Sequence, residues 1–397
     1  MTRTLTARWV FPVAGPPLEY GLVTIRDDKI EAVEPRGTRT ADEDLGNVAI
    51  IPGLVNPHTH LDLSGARGLI PPTDPEHFTD WLKGVIAYRK TRTAEQVQAD
   101  IRGGLGECLE YGTTLIGDIA SGGASWEIVA ESPMRSVVFR EMLGLQNRRV
   151  VESGGEAKKW MLNYILHTTC RPGLSPHSPF SASWKLIRMT QSFRTSPAAI
   201  HLAESPAEIA LLESQTGPFL SFLQELDAWH PDGLSRSIEW VLWRTRRWPP
   251  VVFIHCNYLS PNSEIWPNQT IVYCPRTHAA FGHPPHPFRE FLNRGIRVCL
   301  GTDSLASNPD LDILAEARFV HERYLDFPGD RLLKMVTLSG AEALGWADEC
   351  GSLAPGKSAD LVAVPLPNRD GDPHELVFSN EMADAPRRTV FRGNWRS

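Results

Sequence analysis

The stretch "IIPGLVNPHTHLDLSG", residues 50–65, decides the interpretation of the fold, because an apolar run ends in two histidines, His58 and His60. In an extended backbone, residues i and i+2 point to the same face of a strand. We therefore expect both imidazoles to project together from a strand end. Two neutral imidazoles on one face supply half of a metal site, although a pair of ordinary loop histidines is the alternative at this point.

The composition predicts a soluble globular protein. Of the 397 residues, 42% are hydrophobic and 22% are charged, and the net charge of −7 argues against a nucleic-acid partner. No apolar run approaches the roughly 20 residues that span a bilayer, and the N-terminus shows no signal peptide, so we expect no membrane partner. The six cysteines form no C-x-x-C pair, which favours a reducing compartment. These features predict a cytoplasmic location.

Apolar runs typical of buried parallel strands alternate with helical stretches along the middle of the chain. The runs are "VAIIPGLVN" (48–56), "TTLIGDIA" (113–120), "RSVVFREMLGL" (135–145), "AIHLAES" (199–205), "VVFIHCN" (251–257), "TIVYCPRTH" (270–278) and "IRVCLGTDS" (296–304). This alternation predicts an α/β fold with a (β/α)8 TIM-like barrel over residues 51–349. Short strand-like runs with Gly and Pro between them predict a small β-sandwich domain formed by residues 1–50 and 350–397.

One segment, residues 226–250, is unusually rich in tryptophan and arginine. We expect it to form an amphipathic helix and a loop on the outside or the rim of the barrel. A part in lining the mouth of a substrate site is the alternative.

The strand-like runs end in residues that can bind a metal or exchange a proton. The ends carry His58 with His60, then His201, His255 and Asp303, and catalytic residues of barrels lie at such strand ends. Histidines with one carboxylate suit Zn²⁺ or Fe²⁺ with an open position for water. The sequence therefore predicts a metal-dependent site.

The segments "PGLVNPHTHLDLS", "HLAES", "HCNYLS" and "GTDSLASNPDLDIL", in that order, resemble the amidohydrolase superfamily. They are most similar to its aminohydrolase branch, which includes aminofutalosine, S-adenosylhomocysteine and triazine deaminases, and the resemblance covers nearly the whole chain. It implies metal ligation by His58, His60, His201 and Asp303. The region "RPGLSPHSPFS" (171–181) lacks the lysine of binuclear members, so the resemblance implies one divalent metal ion per chain, zinc, with iron as the alternative.

The resemblance also implies roles in catalysis for three residues. Glu204 lies in an H-x-x-E motif whose glutamate protonates the substrate ring and the leaving amine in deaminases, although a glutamate near a helix N-terminus is the alternative reading. Asp303 is expected to accept the proton of the attacking water and to return it to the leaving ammonia. His255 is expected to hydrogen-bond that water or the developing oxyanion, and an approach to the metal as a weak extra ligand is the alternative.

Substrate contacts are expected from three further residues. His177 matches a family position that contacts substrate, Trp81 is expected to stack on the substrate ring, and His278 lies nearest its strand end. Asp118 and Glu141 also end strands, and we expect them to act as hydrogen-bond partners.

The loop "CPRTHAAFGHPPHPF" (274–288) contains His278, His283 and His286. It is rich in proline and has no carboxylate, which argues against a second metal site. Relatives usually carry an asparagine-containing segment here, so this loop does not identify the substrate. The sequence gives no role to His283 or His286.

The sequence as a whole predicts a hydrolase acting on carbon–nitrogen bonds other than peptide bonds, a cyclic amidine aminohydrolase. It would release ammonia from a small-molecule partner, an aminated purine-like heterocycle or nucleoside of the aminofutalosine or adenosine type. The first alternative is another amidohydrolase that acts on a cyclic amide or a halogenated triazine-like ring, but amide hydrolysis needs no ring protonation, so Glu204 favours deamination. A binding protein without activity is the second alternative, and the intact ligand set argues against it. The oligomeric state stays open, a homo-oligomer included.

Overall fold

The computed structural model describes residues 2–164, 167–193 and 196–396. Strands in these residues form three sheets. In chain order they are β1 Thr2–Thr6, β2 Trp9–Val10, β3 Leu18–Glu19, β4 Leu22–Arg26, β5 Lys29–Glu34, β6 Glu43–Asp44, β7 Val48–Pro52, β8 Leu54–Thr59, β9 Thr113–Ala120, β10 Arg135–Met142, β11 Cys170–Pro176, β12 Ala198–Leu202, β13 Val251–His255, β14 Gln269–Tyr273, β15 Arg297–Leu300, β16 Leu361–Pro365, β17 Arg388–Phe391 and β18 Asn394–Trp395.

Helices connect the strands of the middle region. They are α1 Phe78–Thr91, α2 Ala94–Glu110, α3 Trp126–Ala130, α4 Asn147–Tyr164, α5 Trp184–Thr190, α6 Pro206–Ser214, α7 Pro218–Glu225, α8 Ile238–Thr245, α9 Pro275–Ala280, α10 Phe288–Asn293, α11 Ile313–Arg323, α12 Gly329–Met335, α13 Leu338–Ala343 and α14 Pro373–Phe378. Within the described ranges, none of these helices is long and apolar enough to cross a membrane.

The largest sheet contains β8 to β15 in chain order, and all neighbouring strands in it are parallel. Side chains and backbone join the first strand to the last: the Nδ2 of Asn56 donates to the Oγ1 of Thr302 at 2.8 Å, and the Thr302 N–H donates to the Oδ1 of Asn56 at 3.2 Å. We call this pair the closing seam. The parallel sheet with its intervening helices confirms the predicted (β/α)8 barrel.

Both chain ends contribute to the two smaller sheets, whose strand orders are β5-β4-β1-β6 and β18-β17-β16-β7-β2-β3. Their shared core contains Leu5, Val23 and Ile50 from the N-terminal part and Leu361 and Val390 from the C-terminal part. This confirms the β-rich unit built from both termini. The domain division at residues 50 and 350 stays a prediction.

Two predicted elements are divided in the structure. The run 48–56 contains β7 of a small sheet and β8 of the barrel, and the chain passes between the sheets at Gly53, where a Cβ would lie 2.1 Å from the Thr114 Oγ1. One of the helical stretches expected between the strands, residues 206–229, forms two helices, α6 and α7. The first ends because Gln215 adopts a left-handed conformation with φ of +54°, and Gly217, with φ of +87°, precedes Pro218 at the start of the second.

The tryptophan- and arginine-rich segment 226–250 contains α8, which buries Ile238, Val241 and Leu242 and leaves Trp243 47% exposed. This agrees with the expected amphipathic helix.

Candidate active site

Five predicted residues come together at the carboxyl end of the barrel. His58 and His60 lie at the end of β8, His201 in β12, His255 at the end of β13, and Asp303 after β15. The ligand atoms of His58, His201 and His255 lie within 4.8 Å of one another, and so do those of His58, His60 and Asp303. Because carboxyl ends of parallel barrel strands meet at one face, the fold itself assembles this cluster.

The backbone at this face is unusual in ways that position the cluster. His255 and Asp303 adopt left-handed φ values of +68° and +64°, a conformation that side chains with a Cβ disfavour by about 1–2 kcal/mol. A Cβ on Gly301 would lie 3.1 Å from that of His58, so glycine permits the close approach of β15 to β8. The Asp303 N–H donates to the His58 carbonyl at 3.1 Å. Such strain persists where the surroundings enforce it, commonly at functional sites.

The cluster has the donor properties that a divalent metal requires. Both ring nitrogens of His58 and the Nδ1 of His60 are buried, and among the described residues none of the three has a partner with hydrogen-bond geometry, which is costly unless another group satisfies them. The Nδ1 of His201 lies 3.0 Å from the carbonyl of His177, and since a carbonyl only accepts, its Nε2 keeps a lone pair. Burial lowers the pKa values of His60 and His201, which keeps both rings neutral. These residues therefore fit a bound cation.

Asp303 supplies the negative charge of the cluster. Its Oδ1 lies 3.2 Å from the Nε2 of His58 and 3.7 Å from the Nε2 of His60, and the Oγ of Ser307 donates to its Oδ2 at 3.0 Å. Burial alone would raise the pKa of Asp303, but the neighbouring His58, His255 and His60 outweigh it and hold this pKa well below its usual range. The carboxylate is therefore ionised beside the imidazoles.

Glu204 lies at the junction between β12 and α6, where Ser205 caps the helix. Its Oε1 is 3.3 Å from the Nε2 of His255, and its carbonyl accepts a 3.1 Å bond from the Nδ2 of Asn257. Burial, Asp303 and Glu208 raise the pKa of Glu204 well above its usual value, so its carboxyl favours the protonated form. A carboxyl group that favours the protonated form thus lies beside the cluster, and the same residue directly precedes Ser205, the N-cap of α6, so its position also agrees with the helix N-terminus of the alternative.

Glu208 supports this junction and was missed by the sequence analysis. Its Oε2 accepts a 3.0 Å bond from the backbone N–H of Glu204, and burial raises its pKa to about 8. Its position four residues after Glu204, one helical turn, is the signal that could have identified it.

A cavity of about 400 Å³ opens onto the cluster. Its inner end is formed by cluster residues and Glu204, and His177 lies beside them with its ring 4.7 Å from that of His201. Trp81 lies in the wall. Apolar side chains dominate the rest of the lining, among them Leu63, Phe78, Leu82, Val85, Phe180, Phe222 and Leu223. Residues 226–228 also line the cavity. The first residues of the tryptophan- and arginine-rich segment 226–250 therefore help to line the candidate substrate site, as the alternative expectation for this segment stated.

His278 does not line this cavity. The strand-like run 270–278 forms a strand only as far as Tyr273, because Pro275 begins α9. His278 lies on that helix and not at a strand end. Its ring packs 5.4 Å from Tyr273 and 5.2 Å from His283. The predicted contact of His278 with substrate stays a prediction that this geometry does not favour.

Asp118 holds the segment that carries His60. It accepts bonds from the Oγ1 of Thr59 at 3.1 Å, from the N–H of Leu61 at 2.9 Å and from the Oγ of Ser125. Burial raises its pKa to about 6 despite these donors. Asp118 therefore acts as the hydrogen-bond partner that its strand-end position suggested.

The cavity wall contains a charged residue, Arg89, that the sequence did not predict. The Arg89 guanidinium on α1 lies 3.1 Å from Asp62 and 3.8 Å from Glu141, and Arg89 and Glu141 line the cavity. The Glu141 side chain is only 4% exposed, and the Nε2 of His177, an imidazole whose pKa is lowered by burial, lies 4.0 Å from its carboxylate. No motif marks Arg89, which lies among other basic residues of a helix.

The model of the amidohydrolase family matches residues 49–396, and the chain therefore belongs to this family. The chain is 28% identical to the 5-methylthioadenosine/S-adenosylhomocysteine deaminase of Moorella thermoacetica over 389 aligned residues. The alignment covers 90% of this chain and 84% of that protein. The family resemblance inferred from the sequence is confirmed.

Solved structures share the fold. Helicobacter pylori aminofutalosine deaminase in complex with methylthio-coformycin matches with a TM-score of 0.85 at 20% identity over the full length of both chains. An adenosine deaminase from Xanthomonas campestris with bound zinc matches with a TM-score of 0.75 at 20% identity, over 99% of this chain and 92% of that one. At these identities the likeness shows a common fold.

Proposed function

We propose that this protein is a metal-dependent hydrolytic deaminase that releases ammonia from an aminated purine-like ring carried on a nucleoside. The observation that carries the proposal is the largely buried Glu204 side chain, 12% exposed, whose carboxyl lies 3.3 Å from His255 at the edge of the five-residue cluster. Replacing an aromatic amine by oxygen requires a proton on a ring nitrogen, and a protonated carboxyl at this place can supply it. The deaminase names of the relatives support the same reaction.

We assign His58, His60, His201 and Asp303 as the residues that would hold one divalent ion, zinc, with iron as the alternative for this donor set. When bound, such an ion supplies positive charge that makes water acidic enough to act as a nucleophile near neutral pH.

In the proposed mechanism, Glu204 donates its proton to the ring nitrogen beside the carbon that carries the amine. Asp303 accepts a proton from the attacking water, and His255 orients that water and stabilises the developing oxyanion. The proton held by Asp303 then passes to the amine, which leaves as ammonia. Glu204 recovers a proton from the new hydroxyl group as the carbonyl forms, so both carboxyl groups return to their starting states.

The cavity walls favour a substrate larger than a bare ring. About 400 Å³ leaves room beyond a purine, and the apolar lining suits a thioether or aryl substituent. We assign Trp81 to stacking on the ring and His177 to a polar substrate contact. Glu141 is placed to accept hydrogen bonds from sugar hydroxyls, because it lines the cavity and the Arg89 guanidinium, at 3.8 Å, does not form a close hydrogen bond with its carboxylate.

The test is ammonia release by protein of known metal content from a panel of compounds. The panel contains adenine, adenosine, 5′-methylthioadenosine, S-adenosylhomocysteine, aminofutalosine, a chlorotriazine and a cyclic amide. We expect ammonia from the substituted adenosines. Chloride release from the chlorotriazine or ring opening of the amide, with no deamination, would instead establish the alternative amidohydrolase activity.

The metal assignment predicts close to one divalent ion per chain. Among the described residues, Asp303 groups with His58 and His60, and the fourth strand of the barrel, β11, has no lysine to bridge a second ion. Removal by a chelator should abolish ammonia release, and one equivalent of zinc should restore it. Elemental analysis that finds two tightly bound ions would contradict this assignment.

The substrate assignment predicts that Glu141→Gln raises KM for the nucleoside by about 10- to 100-fold, the scale of a lost charge-assisted hydrogen bond. Turnover at saturation should change little, because Glu141 has no role in proton transfer. Glu156→Gln is the matched control, since Glu156 is 62% exposed and pairs with Arg140 outside the cavity. Equal KM values for wild type and Glu141→Gln would remove Glu141 from substrate binding.

A further inference from the structure

The turn that follows β13 requires support from outside its own backbone. His255 and the next residue, Cys256, have φ values of +68° and +56°, so two consecutive residues with a Cβ occupy the left-handed region. The Cys256 N–H donates to the carbonyl of Leu202 at 3.0 Å. We call residues 255–257 the His255 turn. Its orientation decides where the His255 ring lies.

A histidine from the proline-rich loop satisfies the carbonyl of this turn. The Nε2 of His286 lies 2.8 Å from the carbonyl oxygen of His255, and both residues are buried. A carbonyl only accepts, so the Nε2 of His286 carries the proton. Its Nδ1 is buried and has no hydrogen-bond partner among the described residues, so the hydrogen bond that this ring makes to them is directed at the backbone of the candidate site.

The position of His286 is itself fixed by packing. Its ring stacks on Tyr273 with centroids 4.1 Å apart and an interplanar angle of 21°, and it meets Phe291 edge-on at 6.3 Å. Pro285 and Pro287 flank it in the sequence and restrict the backbone on either side. Packing therefore fixes the donor, and within the part of the chain that the structure describes it makes no other hydrogen bond.

The His255 turn connects to both proton-handling groups of the proposed mechanism. The His255 ring lies 3.3 Å from Glu204, and Asn257, at the end of the same turn, donates to the Glu204 carbonyl at 3.1 Å. A change in the turn would therefore move His255 and loosen the backbone of Glu204 together.

We propose that His286 is a positioning residue whose Nε2–H bond to the His255 carbonyl fixes the left-handed turn and thereby the arrangement of His255 and Glu204. This gives a role to His286, one of the two loop histidines, with His283, to which the sequence gave none. The kinetic part of its test rests on the proposed deaminase function, whereas the structural part does not.

The test compares His286→Leu, which removes the donor, with His286→Gln, whose amide nitrogen reaches about as far as an imidazole Nε2. His286→Asn is a second variant without the bond, because its shorter amide ends near the Nδ1 position, and it replaces the leucine variant if that variant does not fold. His283→Leu is the control: His283 lies on the same loop, but its Nδ1 meets the hydroxyl of Tyr258 at 3.1 Å.

Each variant is loaded with zinc and measured for metal content, kcat and KM, and its crystal structure is determined. We expect the donor-free variant to lose about 10- to 100-fold in kcat at nearly unchanged KM and metal content, since small misplacements of catalytic groups have effects of this size. Its His255 φ should leave the left-handed region. The glutamine variant should restore both kcat and φ, and His283→Leu should resemble wild type.

Two results would overturn the proposal. One is a donor-free variant that keeps the His255 φ and its distance to Glu204. The other is a glutamine variant whose amide bonds the His255 carbonyl but whose kcat stays as low as that of the leucine variant. A wild-type protein that releases no ammonia would refute the deaminase function and leave the crystallographic comparison to decide the role of His286.

Discussion

Asp303→Asn should retain part of the bound metal and lose more than about 10²-fold in ammonia release, the scale of general-base loss alone. The amide still presents a neutral oxygen to a cation, but it cannot take a proton from the attacking water. The neighbours of Asp303 should stay in place, because Ser307 can donate to the amide oxygen as it does to the carboxylate at 3.0 Å. Because the proton acceptor is lost as well as a charged ligand, ammonia release should fall further than in a variant that only weakens metal binding.

The measurement loads the Asp303→Asn protein with excess zinc and determines metal content and ammonia release on the same sample. Asp310→Asn is the matched control, because Asp310 lies in the same loop and pairs with Arg276 at 2.6 Å, away from the cavity. His255→Asn should bind nearly normal metal and keep low but measurable activity. If the metal-loaded Asp303→Asn protein regains substantial activity, Asp303 is a ligand only, and His255 or Glu204 must take the proton.

Glu204→Gln should keep its metal and lose about 10²-fold or more in deamination, because the amide cannot protonate the substrate ring. The glutamine has nearly the same shape, so it can keep the 3.3 Å contact with His255 and the backbone bonds at the junction of β12 and α6. Binding of a substrate analogue should therefore change less than turnover.

Glu213→Gln is the control for this variant, because Glu213 lies on the adjoining α6 with its side chain exposed. Metal content, kcat and KM are measured for both proteins on the best substrate of the panel. Unchanged turnover in Glu204→Gln would exclude Glu204 from proton transfer and reopen hydrolysis of a cyclic amide or a halogenated ring as the reaction.

Local rules predicted the cluster because its members sit at strand ends. His58 and His60 follow the two-residue period of an extended chain, and His201, His255 and Asp303 come directly after buried apolar runs, which parallel strands bring to one face. The same rules predicted the barrel itself. They failed at residues 48–56, because an uninterrupted apolar run does not reveal that its two halves belong to different sheets.

The contacts that support the site could not be predicted in this way. Arg89 meets Glu141 only after α1 packs over the mouth of the barrel, and nothing in a basic helical stretch marks which residue turns inward. His286 donates a hydrogen bond to a backbone carbonyl 31 positions away. Every residue has a backbone carbonyl, so the sequence does not show which one a side chain will contact. Such long-range polar contacts depend on the finished packing.

The closing seam has a consequence for the synthesis of the protein. Asn56 and Thr302 are 246 positions apart, and the seam places Asp303, which follows the last barrel strand, against His58 at the end of the first. During translation the N-terminal histidines leave the ribosome long before the carboxylate of the proposed metal site has been synthesised. If the proposed ligands are correct, a nascent chain cannot offer all of them until Asp303 has emerged and β15 has paired, which postpones tight metal binding to the end of barrel assembly. The newly folded barrel would therefore exist without its metal as a normal step in the synthesis of the protein.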